Sequence, residues 1–481
     1  MVDSSRRTSS EPDGDGLDIE ALEKSNLHFS CTAIVHDSDQ SLVLVRRTRG
    51  KREYVPQTTT KLRNSLLFAV GLLELANAGD FPANVWNEDP LPRFAIILMA
   101  FGGTLALSML YFVVKDSRLS WKNICGLKEE RRYLHAQRQH YQAQGDKEMI
   151  RCIDCYLLVN FRELGTEIVD RFGMDMLLGF GALLVAPGTY IAIAGANPKI
   201  HLASDLMTGY IGNTPCAIYG LFNLAWSGYV WKRARQHRTE NSHAPTPRWA
   251  GFRHRLNTRT RHIQIHSTAN GITGIVAGAA SLATATQWWA YIVLVPCLIS
   301  SALLNLFWRR QLGYDRPFVR NIQESFITED TLIDSLRYTE GRRTMLSQLP
   351  EGQEAVAALF QGTCLQKSDS LESSSSAFQS LLVFIISHQL FDDFCVRLLA
   401  HCPLRERLYP TSPDPLLVDA PELIHMYDQL YREQQSGQDG GSRLADQLLE
   451  IARSVVNEKA RMHFVYTQRW QLEAIGYMAL L

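Results

Sequence analysis

Apolar residues fall in blocks of membrane-crossing length, separated by long polar stretches. Four segments hold the roughly 20 mostly apolar residues that a helix needs to cross a hydrocarbon core. They are Phe94–Val114, Met174–Ala196, Asp205–Trp231 and Tyr291–Trp308. Two further segments are weaker. Asn64–Gly79 contains Glu74 and Asn77, and Gly271–Gln287 is rich in Gly and Ala. Small residues let helices approach closely in lipid, so both are expected inside a bundle. The pattern predicts an all-α fold: a polytopic helical membrane bundle of about six spans, arranged as three hairpins, with a helical cytosolic C-terminal region.

Basic residues set the orientation. Seven Lys and Arg lie between Arg46 and Arg63, eleven in 115–173 and nine in 232–270. Arg309, Arg310, Arg316 and Arg320 follow the last block, whereas the opposite-side connections hold only Arg93 and Lys199. By the positive-inside rule, six spans with both termini in the cytosol satisfy every connection, and five do not. Aromatic residues mark the inner boundary: Tyr111–Phe112 precede Lys115, Tyr229 and Trp231 precede Lys232, and Phe307–Trp308 precede Arg309. The Trp288–Trp289 pair marks the far side of the last hairpin.

This divides the chain into a cytosolic segment 1–62, disordered at its start, a six-span domain 63–308 with cytosolic loops 115–173 and 232–270, and a tail 309–481. The stretch Met1–Asn26 is polar throughout, so the first span is expected to act as an uncleaved signal. In the tail, Phe378–Phe391 is apolar but too short to cross a bilayer, which suits a buried soluble helix. Ser-rich Asp369–Ser376 and Pro-containing Cys402–Pro421 read as linkers, and Leu444–Met478 as a long terminal helix after the Gly440–Gly441 break.

A mean hydropathy of −0.12 conceals the spans because polar segments dilute them. The net charge of zero conceals a basic front and an acidic tail, since 17 Lys and Arg face 23 Asp and Glu from Arg309 onward. Positive-inside bias accounts for the basic loops, so no nucleic-acid partner is expected. The expected partners are the lipid bilayer and a cytosolic protein for residues 310–481. The nine scattered cysteines match no disulfide scaffold.

Ionisable and amide groups at membrane depth are the leading candidates for chemistry, because they are costly in lipid and mark pathways or ligand sites. Glu74, Asn77, Asn213 and Asn223 form a candidate intramembrane polar cluster. Asp175, His262 and His266 are candidate inner-face groups, the two histidines being one helical turn apart. Helix capping and interhelical hydrogen bonding compete with both readings. Cys152 and Cys155 have CxxC spacing without a second pair, so no metal site is expected, and no cofactor. Asp392–Asp393 lacks the further acidic residue of a metal–diphosphate motif. No phosphate-cradling GxxxxGK[ST], GxSxG or HExxH occurs, which argues against a chain-encoded ATPase.

The run Lys61–Trp86, the stretch LSWKN at Leu119–Asn123 and SDLMTGYIGN at Ser204–Asn213 resemble a set of uncharacterised multi-pass integral membrane proteins of filamentous fungi. The resemblance covers roughly residues 60–320 and implies a multi-pass membrane protein without implying an activity. The expected function is a non-enzymatic transporter-like or scaffold bundle. The alternative is a lipid- or isoprenoid-modifying membrane enzyme of specialised metabolism, which needs Asp175, His262 and His266 to converge on one pocket.

Overall fold

Long apolar and amphipathic stretches with few internal breakers make helices, and helices dominate the computed structural model. It describes residues 41–46, 54–57, 61–63, 81, 92–194, 198–243, 251–320, 329–349, 355–360, 371–410, 415–435 and 442–481. The chain begins with strands β1 (Ser41–Arg46), β2 (Tyr54–Pro56) and β3 (Lys61–Arg63). Helices α1 (Arg93–Gln144), α2 (Lys147–Thr166), α3 (Met174–Ala192), α4 (Pro198–Asp205), α5 (Ile211–His243), α6 (Arg253–Ala283) and α7 (Ala290–Phe307) follow. After β4 (Asp315–Pro317) come α8 (Glu329–Gln348), α9 (Ala355–Leu359), α10 (Leu371–Ser387), α11 (Phe391–Ala400) and α12 (Cys402–Leu408). Strand β5 (Leu416–Asp419) precedes α13 (Ala420–Gln435) and α14 (Ser442–Met478).

The contacts divide the chain into two compact units. One comprises residues 1–57 and 362–456, the other 58–361 and 457–481. The region 310–481 is therefore shared between the units rather than forming a separate tail.

In the first unit β1 is the centre of an antiparallel sheet ordered β2–β1–β5, with Leu44 opposite Pro56 and Leu42 opposite Val418. Alternation along β1 buries Leu42 and Leu44 on one face. Phe378, Leu381, Leu382 and Ile385 of α10 are buried, and the Phe378 ring stacks on Tyr427 at 4.3 Å. The apolar run Phe378–Phe391 thus belongs to the core of this unit. Two expected linkers are corrected. Ser373–Ser376 lie in α10, and Cys402–Pro421 supplies α12, started by Pro403 in the first turn, where its missing N–H costs nothing, and then β5.

In the second unit α1 runs 52 residues without a break, about 78 Å at 1.5 Å per residue. Its apolar half continues directly into the polar half beyond Lys115, in place of the expected loop, because neither Pro nor a helix-ending Gly intervenes. Gly145, at φ 76°, ends it by donating its N–H to the Tyr141 and Gln142 carbonyls. Asp146 then caps α2, accepting from Met149 N–H at 3.0 Å. A cap of this kind contributes about 1 kcal/mol. Three wider π-helical turns follow among the described residues: Glu167–Gly173 joins α2 to α3, Leu206–Tyr210 joins α4 to α5, and Trp308–Leu312 extends α7. Such turns aim side chains away from the regular helical ladder and recur at functional sites.

Among the described residues, two helices, Arg93–Gln144 and Ala290–Leu312, are long and apolar enough to cross a membrane. The expected span Asn64–Gly79 lies outside the described residues. Large apolar side chains of this unit point outward. Ile97, Phe101 and Tyr111 on α1, Phe180 and Leu183 on α3, Leu221 and Phe222 on α5, and Ile292 and Ile299 on α7 are all more than half exposed. Small and polar residues point inward. A Cβ on Gly220 would lie 2.5 Å from the Gly274 carbonyl oxygen, and one on Gly278 would lie 2.8 Å from the Ala217 Cα. The α5–α6 contact is thus a small-residue seam. Gly278→Ala is expected to destabilise the protein by about 1–3 kcal/mol through overpacking against backbone. Gly228→Ala, where nothing lies within 4 Å, is expected to be neutral or slightly stabilising through helix propensity. Thermal unfolding of the purified variants checks the contrast.

Candidate functional site

The polar groups of the second unit collect where α1, α2 and α5–α7 leave their apolar stretches. Glu130 of α1, Glu163 of α2 and Arg316 of β4 are all buried. The Arg316 guanidinium donates to Glu130 at 2.7 and 2.8 Å and to Glu163 at 2.9 Å. Val319 N–H and the Asn160 amide complete Glu130, each at 2.8 Å. Tyr314 O–H donates to Glu163 at 2.8 Å and accepts from Arg162 at 2.7 Å. Arg162 and Arg259 then share Glu473 of α14, at 2.6 and 2.8 Å. Three carboxylates and three guanidiniums alternate, so the chain of contacts is neutral. Burial by itself would raise the Glu473 carboxyl, but Arg162 and Arg259 hold it below the ordinary carboxylate value.

A second cluster is unbalanced. Arg171, in the π-helical turn, donates to Asp116 at 2.9 Å and to Glu167 at 2.9 Å. Asp175 joins through Ser117 O–H at 3.3 Å, and Ser120 O–H donates to Glu167 at 3.0 Å. Asp116, Glu167, Arg171 and Asp175 are each at most 1% exposed. Three carboxyl groups thus gather around one guanidinium in a buried setting. Burial raises Glu167 despite Arg171. Asp116 Oδ2 and Asp175 Oδ1 have no hydrogen-bond partner among the described residues.

Next to both clusters is a small cavity lined by Arg162, Thr166 and Asp170 from the α2 side, Trp226 and Ser227 from α5, Arg259, His266 and Asn270 from α6, and Trp308 and Leu312. Its volume of about 20 Å³ admits a single water. Two of the three π-helical turns border it, contributing Asp170 and the Trp308–Leu312 pair. Gly165 makes room for its Trp226 wall, since a Cβ there would overlap the indole. Asp170 Oδ1 and Trp226 Nε1 are buried without partners among the described residues. Burial pushes the Asp170 carboxyl up to about 7, with Arg162 opposing and Glu167 assisting. Burial pushes His266 down to about 4. The cavity therefore faces a carboxyl group that titrates near neutrality and an imidazole that stays neutral.

The residues singled out from sequence are distributed as follows. Glu74 and Asn77 lie outside the described residues. Asn213 and Asn223 share α5 but are not brought together. Asn213 donates to the Thr208 carbonyl at 3.0 Å and to Thr284 Oγ1 at 3.3 Å. Asn223 exchanges bonds with Asn270 at 2.8 and 3.0 Å. Their offset on the helix is about 15 Å, and they close opposite ends of the same α5–α6 contact. Asp175 belongs to the Arg171 cluster, while His266 lines the cavity and packs against Trp308 at 5.0 Å. His262 lies edge-on to Phe307 at 5.5 Å. Asp175 is not among the cavity's lining residues, so these three groups are not gathered in one pocket. Cys152 and Cys155 are buried apolar contacts of α2, and Cys155 donates to the Ala474 carbonyl. No three His, Cys, Asp or Glu among the described residues are placed to hold a metal ion.

Sequence reading passed over Arg162, Glu163, Asp170, Arg171, Arg316 and Glu473. One signal was available: Glu163, Glu167, Asp170 and Arg171 recur at helical spacing in the amphipathic stretch after Met149, so one face carries charge where an apolar stripe is also present. No protein-family model matches the chain, and neither a curated protein nor a solved structure matches it.

Arg316→Gln is expected to destabilise the protein by about 3–5 kcal/mol, because it leaves Glu130 and Glu163 buried and uncompensated. Adding Glu163→Gln is expected to recover part of that loss, readable in thermal melts. Asp170 yields a pH signature. Its folded value lies above the roughly 3.9 of an unfolded chain, so its stabilising contribution is complete below about pH 4 and is lost as pH rises through about 7. Asp170→Asn removes that loss. The variant's melting temperature relative to the original chain is expected to be higher at pH 8 than at pH 5.

Proposed function

We propose that the chain is an integral membrane protein of six spans with both termini in the cytosol, and that it is a non-enzymatic, transporter-like bundle. The observation that carries this reading is the inversion of polarity across the second unit. Large apolar side chains such as Ile97, Phe101, Leu221 and Ile292 are exposed, while Asn213, Asn223, Thr208 and Ser281 are buried. A soluble fold has the reverse arrangement, and an exposed apolar surface on this scale marks a membrane or partner contact. The alternation of basic connections supports six crossings over two.

At the inner face the bundle holds protonatable groups that a passive scaffold does not need. Asp170 faces a water-sized cavity, and the Asp116–Glu167–Asp175 group exceeds its one guanidinium. Buried carboxyl groups in excess of their cations recur in proton-linked pathways. The alternative, a lipid- or isoprenoid-modifying enzyme, needs Asp175 and the two histidines together. With Asp175 bound into the Arg171 cluster, that reading has less support.

Two measurements test the proposal. In membranes from an expressing cell, the chain is expected to resist carbonate extraction. Cys125, which is exposed, is expected to react with an impermeant maleimide only after permeabilisation, whereas a cysteine placed at Trp288 reacts in intact cells. Labelling of both from one side overturns the topology. In proteoliposomes, an imposed pH gradient is expected to decay faster with the protein than without it, and Asp170→Asn is expected to slow that decay about tenfold or more. Identical decay with and without the protein leaves the scaffold role.

A further inference from the structure

A second concavity lies on the outside of the same unit, between α1, α2 and α5, and its chemistry differs from that of the inner cavity. It is an open groove of about 460 Å³ lined by Arg131, Asp154, Leu157, Leu158, Phe161, Tyr229, Arg233 and Leu481. The volume is in the range of small-molecule sites. Its floor is apolar and aromatic. Phe161, 41% exposed, meets Tyr229 edge-on at 5.7 Å, and Tyr229 stacks on Trp226 at 5.0 Å.

Two guanidiniums stand over this floor. Arg131 lies 5.5 Å above the Phe161 ring, and Arg233 lies 5.9 Å from the Tyr229 ring. Arg233 donates to Tyr229 Oη at 3.4 Å and to Gln236 at 3.2 Å. Neither arginine is paired with a carboxylate among the described residues. Arg131 Nη1 is buried and has no acceptor there. Asp154, the carboxylate of the lining, is already held by Arg138 at 2.6 and 3.2 Å. The groove therefore presents two guanidiniums without an ion-pair partner among the described residues, one with an unused donor, beside the half-exposed Phe161 ring.

Its position along the chain restricts the occupant. Tyr229 and Trp231 end the apolar run of α5, and Lys232, Arg233 and Arg235 follow at once, with Arg235 over the Trp231 ring at 5.5 Å. That order of aromatic then basic residues is the signature of the headgroup layer. We propose that this groove binds an anionic phospholipid from the cytosolic leaflet, its phosphate between Arg131 and Arg233 and the upper part of an acyl chain along Phe161, Leu157 and Leu158. Arginine suits the role because its planar fork donates two parallel bonds to phosphate oxygens while its face rests on an aromatic ring. The inference rests on the membrane reading above.

The test is native mass spectrometry of the purified full chain, with phosphatidylglycerol or phosphatidylcholine added. Phosphatidylglycerol is expected to remain bound under conditions that strip phosphatidylcholine. Arg131→Gln with Arg233→Gln is expected to weaken that binding roughly tenfold, since each arginine near an anionic lipid surface contributes appreciably. Phe161→Glu, which places an anion in the groove, is expected to do the same. Arg235→Gln with Arg238→Gln, exposed on the same helix outside the groove, is expected to leave it unchanged. Lipid-free melting temperatures identify any variant that fails to fold.

Equal losses in the two double variants assign the effect to diffuse surface charge and overturn the site. Displacement by millimolar inorganic phosphate, or equal retention of both lipids, also overturns it. A chain that extracts in carbonate fails the membrane reading itself. One that stays in the membrane without headgroup preference fails only this inference.

Discussion

The second unit depends on one constraint: the charges gathered below its apolar stretches must neutralise one another out of water. Glu130, Arg316, Glu163, Tyr314, Arg162, Glu473 and Arg259 do this as a single alternating series. They come from α1, α2, α6, β4 with its preceding loop, and α14, so the series connects the first long helix of the unit to the last. Replacing such a network with apolar residues is often neutral in energy, whereas removing one member is costly. Its contribution is therefore better described as registry than as net stability. A buried ion series with fixed partners specifies which turn of each helix meets which.

That registry places the chemically active groups. With α2 fixed through Arg162 and Glu163, the π-helical turn that follows carries Asp170 toward the cavity and Arg171 toward Asp116 and Glu167. Residues four apart on a regular helix share a face, and the extra residue in a π-helical turn changes which side chains do so. The two clusters differ in charge balance. The first pairs three guanidiniums with three carboxylates. The second sets Asp116, Glu167 and Asp175 around the single guanidinium of Arg171, and burial raises the Glu167 carboxyl. His266 and His237, both lowered to about 4 by burial, stay neutral beside these groups and add no competing charge at physiological pH.

Much of the helical framework was legible in the residues, because apolar blocks and caps are local signals. Helix α1 was only half visible. Its apolar start reads as a complete span and the charged stretch Glu129–Gln144 as a separate helix, and nothing local joins the two through Lys115. Strand β1 was missed because Ser41–Arg46 has only two buried positions, and its partner β5 lies near the opposite end of the chain. The site was least legible. Asn213 and Asn223 attract attention as amides at membrane depth, yet each serves a helix–helix contact. Arg316 lies in a basic run that the positive-inside rule explains without further assumption, so its salt bridges to Glu130 and Glu163 are invisible until β4 is placed.

The need to neutralise buried charge also explains why the inner cavity and the outer groove are chemically opposite although Phe161 and Trp226 lie 6.2 Å apart. Gly165 and Trp226 form the wall between them: the indole fills the space a side chain at 165 would take. On the inner side, Arg162 and Arg259 share Glu473 within the neutral series, and Asp170 lines the cavity beside them. On the outer side, Arg131 and Arg233 have no such partner among the described residues, so their charge is available to an external anion. Two pairs of arginines on either side of one indole thus differ in one circumstance, whether a carboxylate of the chain reaches them. Glu473 reaches the inner pair because α14 packs there.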